Sequence, residues 1–334
     1  MRRQSTRTIA CALALGLAVG SLAACSSSNK PGESTASPSA DGSETKPDPD
    51  SPPDPDSTAA ASFGTAEEIV EMLQWEVDSS GNPAVYFPVP LAVAGTAART
   101  VEPGDGEELV EGMLIALDYA DFDGTTGELG SSSYGGAAPP ATIALTSGQL
   151  PPVLFDGIVG NKVGAKILLV MGSEEGSGVS AITIVGALTP LERSEGKASE
   201  KLEHPEIPLA GEDANGVPTI EPGKGEPPKT LIEEVLIKGE GPKIRESQLI
   251  SVHYSGWLWD GTPFDSSWKN GAPFAAFLSQ GGIIDGWVAG LAGHTIGSRV
   301  ELVIPPDLAY GDEDRDPIPP GSTLVFVIDI LGAM

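Results

Sequence analysis

Between Leu249 and Leu331 the chain gathers most of its aromatic side chains, although Phe, Trp and Tyr make up only 5% of its 334 residues. One acid, Asp265, stands among them, directly after Phe264 and before Ser266 and Ser267. A carboxylate between an apolar strand and a serine pair is a poor core filler, because a buried charge needs partners. Aromatic walls with a few fixed polar groups can exclude water, seat an apolar ring and hold carbonyls. The residue types that other chemistries need are missing. Two cysteines are too few for a disulfide framework or a zinc cluster. The three histidines, His204, His253 and His294, are far apart and form no His-x-x-x-His pair. His253 precedes Tyr254 on a strand, so the two side chains point to opposite faces, and the histidine reads as packing. The D-x-D-G at Asp121–Gly124 lacks the later ligand positions of a calcium loop.

The elements that must position this set follow from spacing. Apolar residues in 249–331 alternate at strand period and are punctuated by Gly and Pro, with one short helical piece, Gly286–Leu291, in the middle. The chain is long enough for two domains, and 40% hydrophobic content is enough for folded cores. Its net charge of −28 excludes a nucleic-acid partner, since phosphate binding needs a basic face.

Residues 1–24 read as a signal peptide. Arg2, Arg3 and Arg7 precede an apolar stretch, Ile9–Gly20, too short to span a bilayer. The following Leu22-Ala23-Ala24-Cys25 resembles a bacterial lipobox, which implies lipidation of Cys25 and an anchor firm enough to hold the chain at the membrane. Residues 25–61 are rich in Ser, Pro and Asp, ending in PDPDSPPDPD, and have no apolar periodicity. They are expected as a disordered, extended tether. A first folded unit is expected over 62–191, with TAEEIVEML as a helical turn or two and AVYFPVPLAV as a strand with a proline break. Residues 192–205 read as a charged linker, and 206–334 as the second unit.

The two units look like one fold written twice. VEPGDGEELVEGMLIALDYADFDGTTGELGSSS lies over VLIKGEGPKIRESQLISVHYSGWLWDGTPFDSS, and LPPVLFDGIVGNKVGAKILLV over IIDGWVAGLAGHTIGSRVELV. Within the second copy five motifs occur in order: V-H-Y-x-G, D-G-x-x-F-D-S-S, I-x-G-W, A-Y-G and I-P-P-x-x-T-L-V-F-x-I-x-I. From about Thr230 to Leu331 this order resembles the FKBP family of peptidyl-prolyl cis–trans isomerases.

The resemblance implies an α+β fold, two FKBP-like domains, each a bent antiparallel sheet around a short helix. It implies a pocket with Trp287 as its floor and Tyr254, Phe264, Phe274, Ile283 and Phe326 as walls. Asp265 becomes an acceptor beside the reacting amide. The Ile284 N–H and the Tyr310 hydroxyl hold substrate carbonyls, and Ile318 lies on an overhanging loop. No cofactor or metal is implied. The implied partners are proline-containing exported polypeptides, with a macrolide as a further ligand, at the extracytoplasmic face of a bacterial membrane. A non-catalytic chaperone or an envelope peptide-binding lipoprotein is the alternative.

Departures from the family pattern are the acidic loop Asp312–Asp316, Asn270 where many members carry arginine, and the additional Trp257, Trp259 and Trp268, the last expected at the pocket rim. In the first copy Tyr119 and Ser131–Ser133 remain. Leu129-Gly130 is expected in place of Phe264-Asp265, and Leu154 in place of Trp287, with no counterpart of the loop. That copy is expected to be a degenerate, inactive domain.

Overall fold

The computed structural model describes residues 64–173 and 176–334. The expected signal peptide, Cys25 and the whole of the expected tether lie outside the described residues. No helix among the described residues is long and apolar enough to cross a membrane.

The first unit opens with helix α1 (Ala66–Met72). Thr65 and Glu68 close a reciprocal capping box at its start, which explains why so short a helix begins there. Strands β1 (Trp75–Val77) and β2 (Pro83–Val85) pair as a small hairpin. The strand expected through AVYFPVPLAV stops at Val85, because Pro88 and Pro90 have no N–H to give to a ladder. Then come β3 (Gly95–Glu102), β4 (Leu114–Asp123), β5 (Leu129–Ser132), β6 (Ala141–Ala144), helix α2 (Pro152–Ile158), β7 (Lys166–Ser173) and β8 (Gly176–Leu188). All pairings are antiparallel, in the order β3-β7-β8-β4-β5, with β6 also on β4.

The connection between the units carries β9 (Gly196–Ala198), β10 (Ala210–Glu212) and β11 (Pro218–Ile220). The second unit continues with β12 (Ile232–Gly239), β13 (Leu249–Leu258), β14 (Pro263–Ser266), helix α3 (Ser267–Asn270), β15 (Phe274–Phe277), helix α4 (Asp285–Leu291), β16 (Arg299–Ile304) and β17 (Leu324–Ala333). Its sheet runs β14-β13-β17-β16-β12-β9, with β15 also on β13. Without β9, this is the first sheet repeated strand for strand. The duplication seen as sequence similarity is therefore a duplication of topology.

Each sheet packs one face on its helix. In the second unit this core joins Trp287 and Leu291 of α4 to Ile250, Val252, Tyr254, Val300, Leu302, Ile304, Phe326 and Ile328. In the first it joins Leu154 and Ile158 of α2 to Ile115, Leu117, Ile167, Leu169, Ile182 and Ile184. The opposite face is covered in both units by the chain that precedes the sheet. Ile69 and Val70 of α1 and its C-cap Leu73, with Val85 and Leu91, lie on Ala97, Ala120, Phe122, Leu168 and Val179. In the second unit Ile207 and Ile220, with Ile232 and Trp259, pack with Val303 and Val325.

The stretch expected as a linker is thus fastened as a strap. β9 extends the sheet by pairing with β12. Arg299 binds Asp329 through Nε and Nη2 (Nη2–Oδ2 2.8 Å) and also reaches Glu212 on the strap. The Ser194 N–H donates to Asp329 Oδ2 at 3.0 Å. Glu234 Oε2 accepts from the Glu203 and His204 N–H groups at 2.8 and 2.7 Å. Polar residues on an apolar sheet face satisfy the buried backbone of the segment that covers it.

The units also touch each other. Leu114, Ala144 and Leu188 of the first pack against Leu249, Ala275, Phe277 and Met334 of the second. The Leu191 N–H donates to the Leu331 carbonyl at 3.0 Å.

Candidate active site

β13 is buried along nearly its whole length because it pairs with β17 on one side and with β14 and β15 on the other. Strand alternation sends Tyr254 to the helix face and His253 to the strap face. His253 is buried as a packing residue, with Nδ1 2.9 Å from Ser267 Oγ. Burial holds its pKa below the ordinary histidine value. Trp268 stacks on its ring at a centroid distance of 3.9 Å. The expectation that Trp268 lies at the pocket rim is therefore corrected: it covers the opposite side of β13.

Trp287 lies in α4 with 4% of its surface exposed, so the indole faces inward. Three rings meet it edge-on: Tyr254 at 5.2 Å, Phe326 at 5.3 Å and Phe274 at 6.2 Å. Phe264 completes the wall against Phe326 at 5.4 Å. The close approach depends on Gly256. A Cβ there would lie 2.7 Å from Phe264 Cζ and 2.9 Å from Phe326 Cε1. At Gly286 a Cβ would lie 2.3 Å from Ile304 Cγ2, so glycine lets α4 sit down on β16.

Tyr254 donates its hydroxyl to Asp265 Oδ2, while Asp265 Oδ1 accepts from the Ser266 N–H at 2.7 Å. The carboxylate that looked out of place in sequence is thus held half-buried at the wall. Burial first, and then the Asp265 hydrogen bond, push the Tyr254 phenol well above its ordinary value, so it stays a donor. Ile283 and Ile284 are half-buried against the same cluster, and Ile284 is the N-cap of α4. Ile318 is buried in the cluster.

Tyr310 stands half-buried at the edge of the cluster, and its hydroxyl finds no partner among the described residues. Burial raises its pKa, with the Arg315 charge acting against the shift. The Arg315 guanidinium lies over the Tyr310 ring at 4.6 Å and is held by Glu313 at 2.9 and 3.1 Å. The Trp287 Nε1 is likewise buried and without a partner among the described residues. All ten residues expected at the pocket therefore fall in one cluster. Sequence reading missed Gly256, Arg315 and Glu313. The glycine was legible as the last position of V-H-Y-x-G, but its partners are rings from two other strands.

This arrangement offers an apolar wall, one held carboxylate and an unpaired hydroxyl. No group of three or more His, Cys, Asp or Glu that could hold a metal occurs among the described residues.

The first unit has a different lining. The Ser133 and Ser267 hydroxyls, each just past the end of the neighbouring strand, both accept from a tyrosine N–H, Tyr119 at 3.0 Å and Tyr254 at 2.8 Å. With that register Gly130-Ser131, not Leu129-Gly130, stands where the second unit has Phe264-Asp265. Asp121 takes the place of Gly256 and Ser180 that of Phe326. Asp121 accepts from Ser180 at 2.6 Å and Ser131 at 2.9 Å, and burial raises its pKa. A saturated polar knot thus fills the space that rings occupy in the second unit. Leu154 sits at the Trp287 position of α2, and β7 meets β8 with only residues 174–175 between them.

The sequence pattern described as FKBP-type peptidyl-prolyl cis-trans isomerase matches residues 241–331. A protein named FK506-binding protein from Streptomyces anulatus is 41% identical over 117 residues, covering 34% of this chain and 94% of that one. The chain belongs to the FKBP family. FK506-binding protein 2 of Debaryomyces hansenii is 49% identical over 94 residues, 27% of this chain and 70% of that protein. FkpA of Escherichia coli, named as an FKBP-type isomerase, is 42% identical over 101 residues, 30% of this chain and 37% of that protein. The FKBP match falls on the second unit, where the aromatic cluster lies.

Proposed function

We propose that the second unit is a peptidyl-prolyl cis–trans isomerase and that the Trp287 cluster is its active site. The barrier to X-Pro rotation is about 18–20 kcal/mol and comes from amide resonance, so the reaction needs no acid, base or metal. Cis and trans differ by only about 0.5–1 kcal/mol before proline, so a catalyst has only to favour the twisted state between them. A planar amide is more polar than a twisted one and prefers water. An aromatic cup that excludes water therefore favours the twisted form. Trp287 seats the proline ring, with Tyr254, Phe264, Phe274, Ile283 and Phe326 around it. The Tyr310 hydroxyl and the Ile284 N–H hold the flanking carbonyls, and Asp265, fixed by Tyr254, faces the turning amide. Ile318 covers the bound segment.

The observation that carries this reading is the inward-facing indole ringed edge-on by three aromatic side chains. The first unit, with Leu154 and the Asp121 knot, is inactive. With the lipobox at Cys25, the natural substrates are exported polypeptides, met at the extracytoplasmic face of a bacterial membrane.

The test is turnover of proline tetrapeptides by the purified full chain. Catalysis is expected, and Trp287→Leu should lower it at least about tenfold, the equivalent of one contact worth about 1.4 kcal/mol in the transition state. Folded protein that does not accelerate isomerisation overturns the reading and favours a non-catalytic peptide binder.

A further inference from the structure

The loop that closes the cup carries an uncompensated charge. From Pro305 to Met334 the only base is Arg315, against Asp307, Asp312, Glu313, Asp314, Asp316 and Asp329. Asp329 is spent on the strap side with Arg299. Arg315 is spent on Glu313 and on the Tyr310 ring. Asp312, Asp314 and Asp316 are exposed, and none forms an ion pair or a side-chain hydrogen bond among the described residues.

These three are not a solvated tail. Tyr310 at one end of the loop and Ile318 at the other both belong to the aromatic cluster. The Glu313 N–H donates to the Tyr310 carbonyl at 3.1 Å and the Gly321 N–H to the Gly311 carbonyl at 2.8 Å. Arg315 and Ile318 exchange backbone hydrogen bonds. The loop backbone is closed on itself and joined at both ends to the cluster, so the three carboxylates are carried on a held segment rather than on a free tail. The cup itself calls for a ligand on independent grounds: the Trp287 Nε1 is buried without a partner, and the Tyr310 hydroxyl is unpaired.

We propose that this rim selects the substrate: the enzyme prefers prolines flanked by lysine or arginine. This rests on the isomerase reading above. Asp265 within the cup is already engaged by the Tyr254 hydroxyl and the Ser266 N–H, so the free charges that a flanking residue meets are those of the rim. A fixed row of like charges at an apolar mouth attracts cations and repels anions, and the attraction falls with ionic strength. Asp312, Asp314 and Asp316 are the specificity-determining residues, and Arg315, already neutralised, does not offset them.

The experiment compares three peptides that share one X-Pro core and differ in flanks of two lysines, two serines or two glutamates. Isomerisation by the full chain is followed by exchange NMR. At low ionic strength kcat/KM for the lysine peptide should exceed that for the glutamate peptide about tenfold, and the ratio should approach one at about 1 M salt, where the Debye length is about 3 Å. In the triple variant Asp312→Asn, Asp314→Asn, Asp316→Asn the ratio should collapse at low salt. A ratio near one in the native chain, or a ratio that survives in the triple variant, overturns the proposal. If none of the three peptides is turned over, the isomerase reading fails instead. Binding of the same peptides by calorimetry then decides the rim: tighter lysine binding supports it, and equal affinities overturn it.

Discussion

Replacing Glu301 by glutamine should stabilise the folded chain, and increasingly so as the pH rises. Glu301 is 1% exposed on β16, its Oε1 has no hydrogen-bond partner, and its register partner on β12 is another buried acid, Glu234. Burial, reinforced by the Glu234 charge, pushes Glu301 from an ordinary 4.5 up to about 8. The folded chain thus keeps a proton that the unfolded chain releases. The direction follows from linkage: stability is lost as the pH climbs from about 4.5 to about 8, where the folded state is the one holding more protons. At about 1.4 kcal/mol per pH unit over roughly 2.5 units, the penalty at neutral pH is at most about 3.5 kcal/mol. Glutamine copies the protonated shape and carries no charge to repel Glu234. Urea unfolding of the full chain and of Glu301→Gln, followed by tryptophan fluorescence, reads the second unit well, since four of the five indoles lie there. The difference between the two proteins removes every other titrating group. The gap should be small at about pH 5 and reach about 2 kcal/mol or more near pH 8. A gap that stays flat or narrows with pH refutes the reasoning.

Tyr254→Phe removes the hydroxyl that Asp265 accepts; a loss of about 1–2 kcal/mol is expected by urea titration, with a several-fold fall in isomerase turnover. Gly256→Ala forces a methyl against Phe264 and Phe326. Overpacking of about 1–3 kcal/mol should appear in thermal unfolding, and turnover should fall with it. Arg299→Ala leaves Asp329, which is fully buried, without its cation. A loss of about 3–5 kcal/mol is expected, and protease digestion should then cut the strap between about residues 192 and 223 first.

Much of the site was legible because its signals are local. Trp287 follows a glycine at the start of a short helix, and Asp265 interrupts an apolar strand. Both are visible as single residues out of character with their neighbours. The repeat was legible for the same reason, through paired Gly-x-Gly turns and tyrosine strands. What sequence could not supply was register between distant strands. The offset of one residue at Gly130-Ser131 is set by the Ser133 hydroxyl meeting the Tyr119 N–H fourteen positions away. The strap was hidden because its composition is that of a linker. Its order comes from partners on β12, β16 and β17, and Arg299, Glu234 and Asp329 on the sheet hint that something polar must cover them. Trp268 was misplaced because its own helix does not reveal which side of β13 it will cover.

The seam between the units reaches further than its size suggests. β15 is four residues long; Phe274 at one end packs in the aromatic cluster, while Ala275 and Phe277 lean on the first unit. The first unit is therefore a buttress behind one wall of the aromatic cluster. Cutting it away would bare Leu249 and Phe277 to water and leave a short edge strand to hold an aromatic wall unaided. The first copy of the duplicated fold then serves its twin mechanically, by keeping that wall in shape.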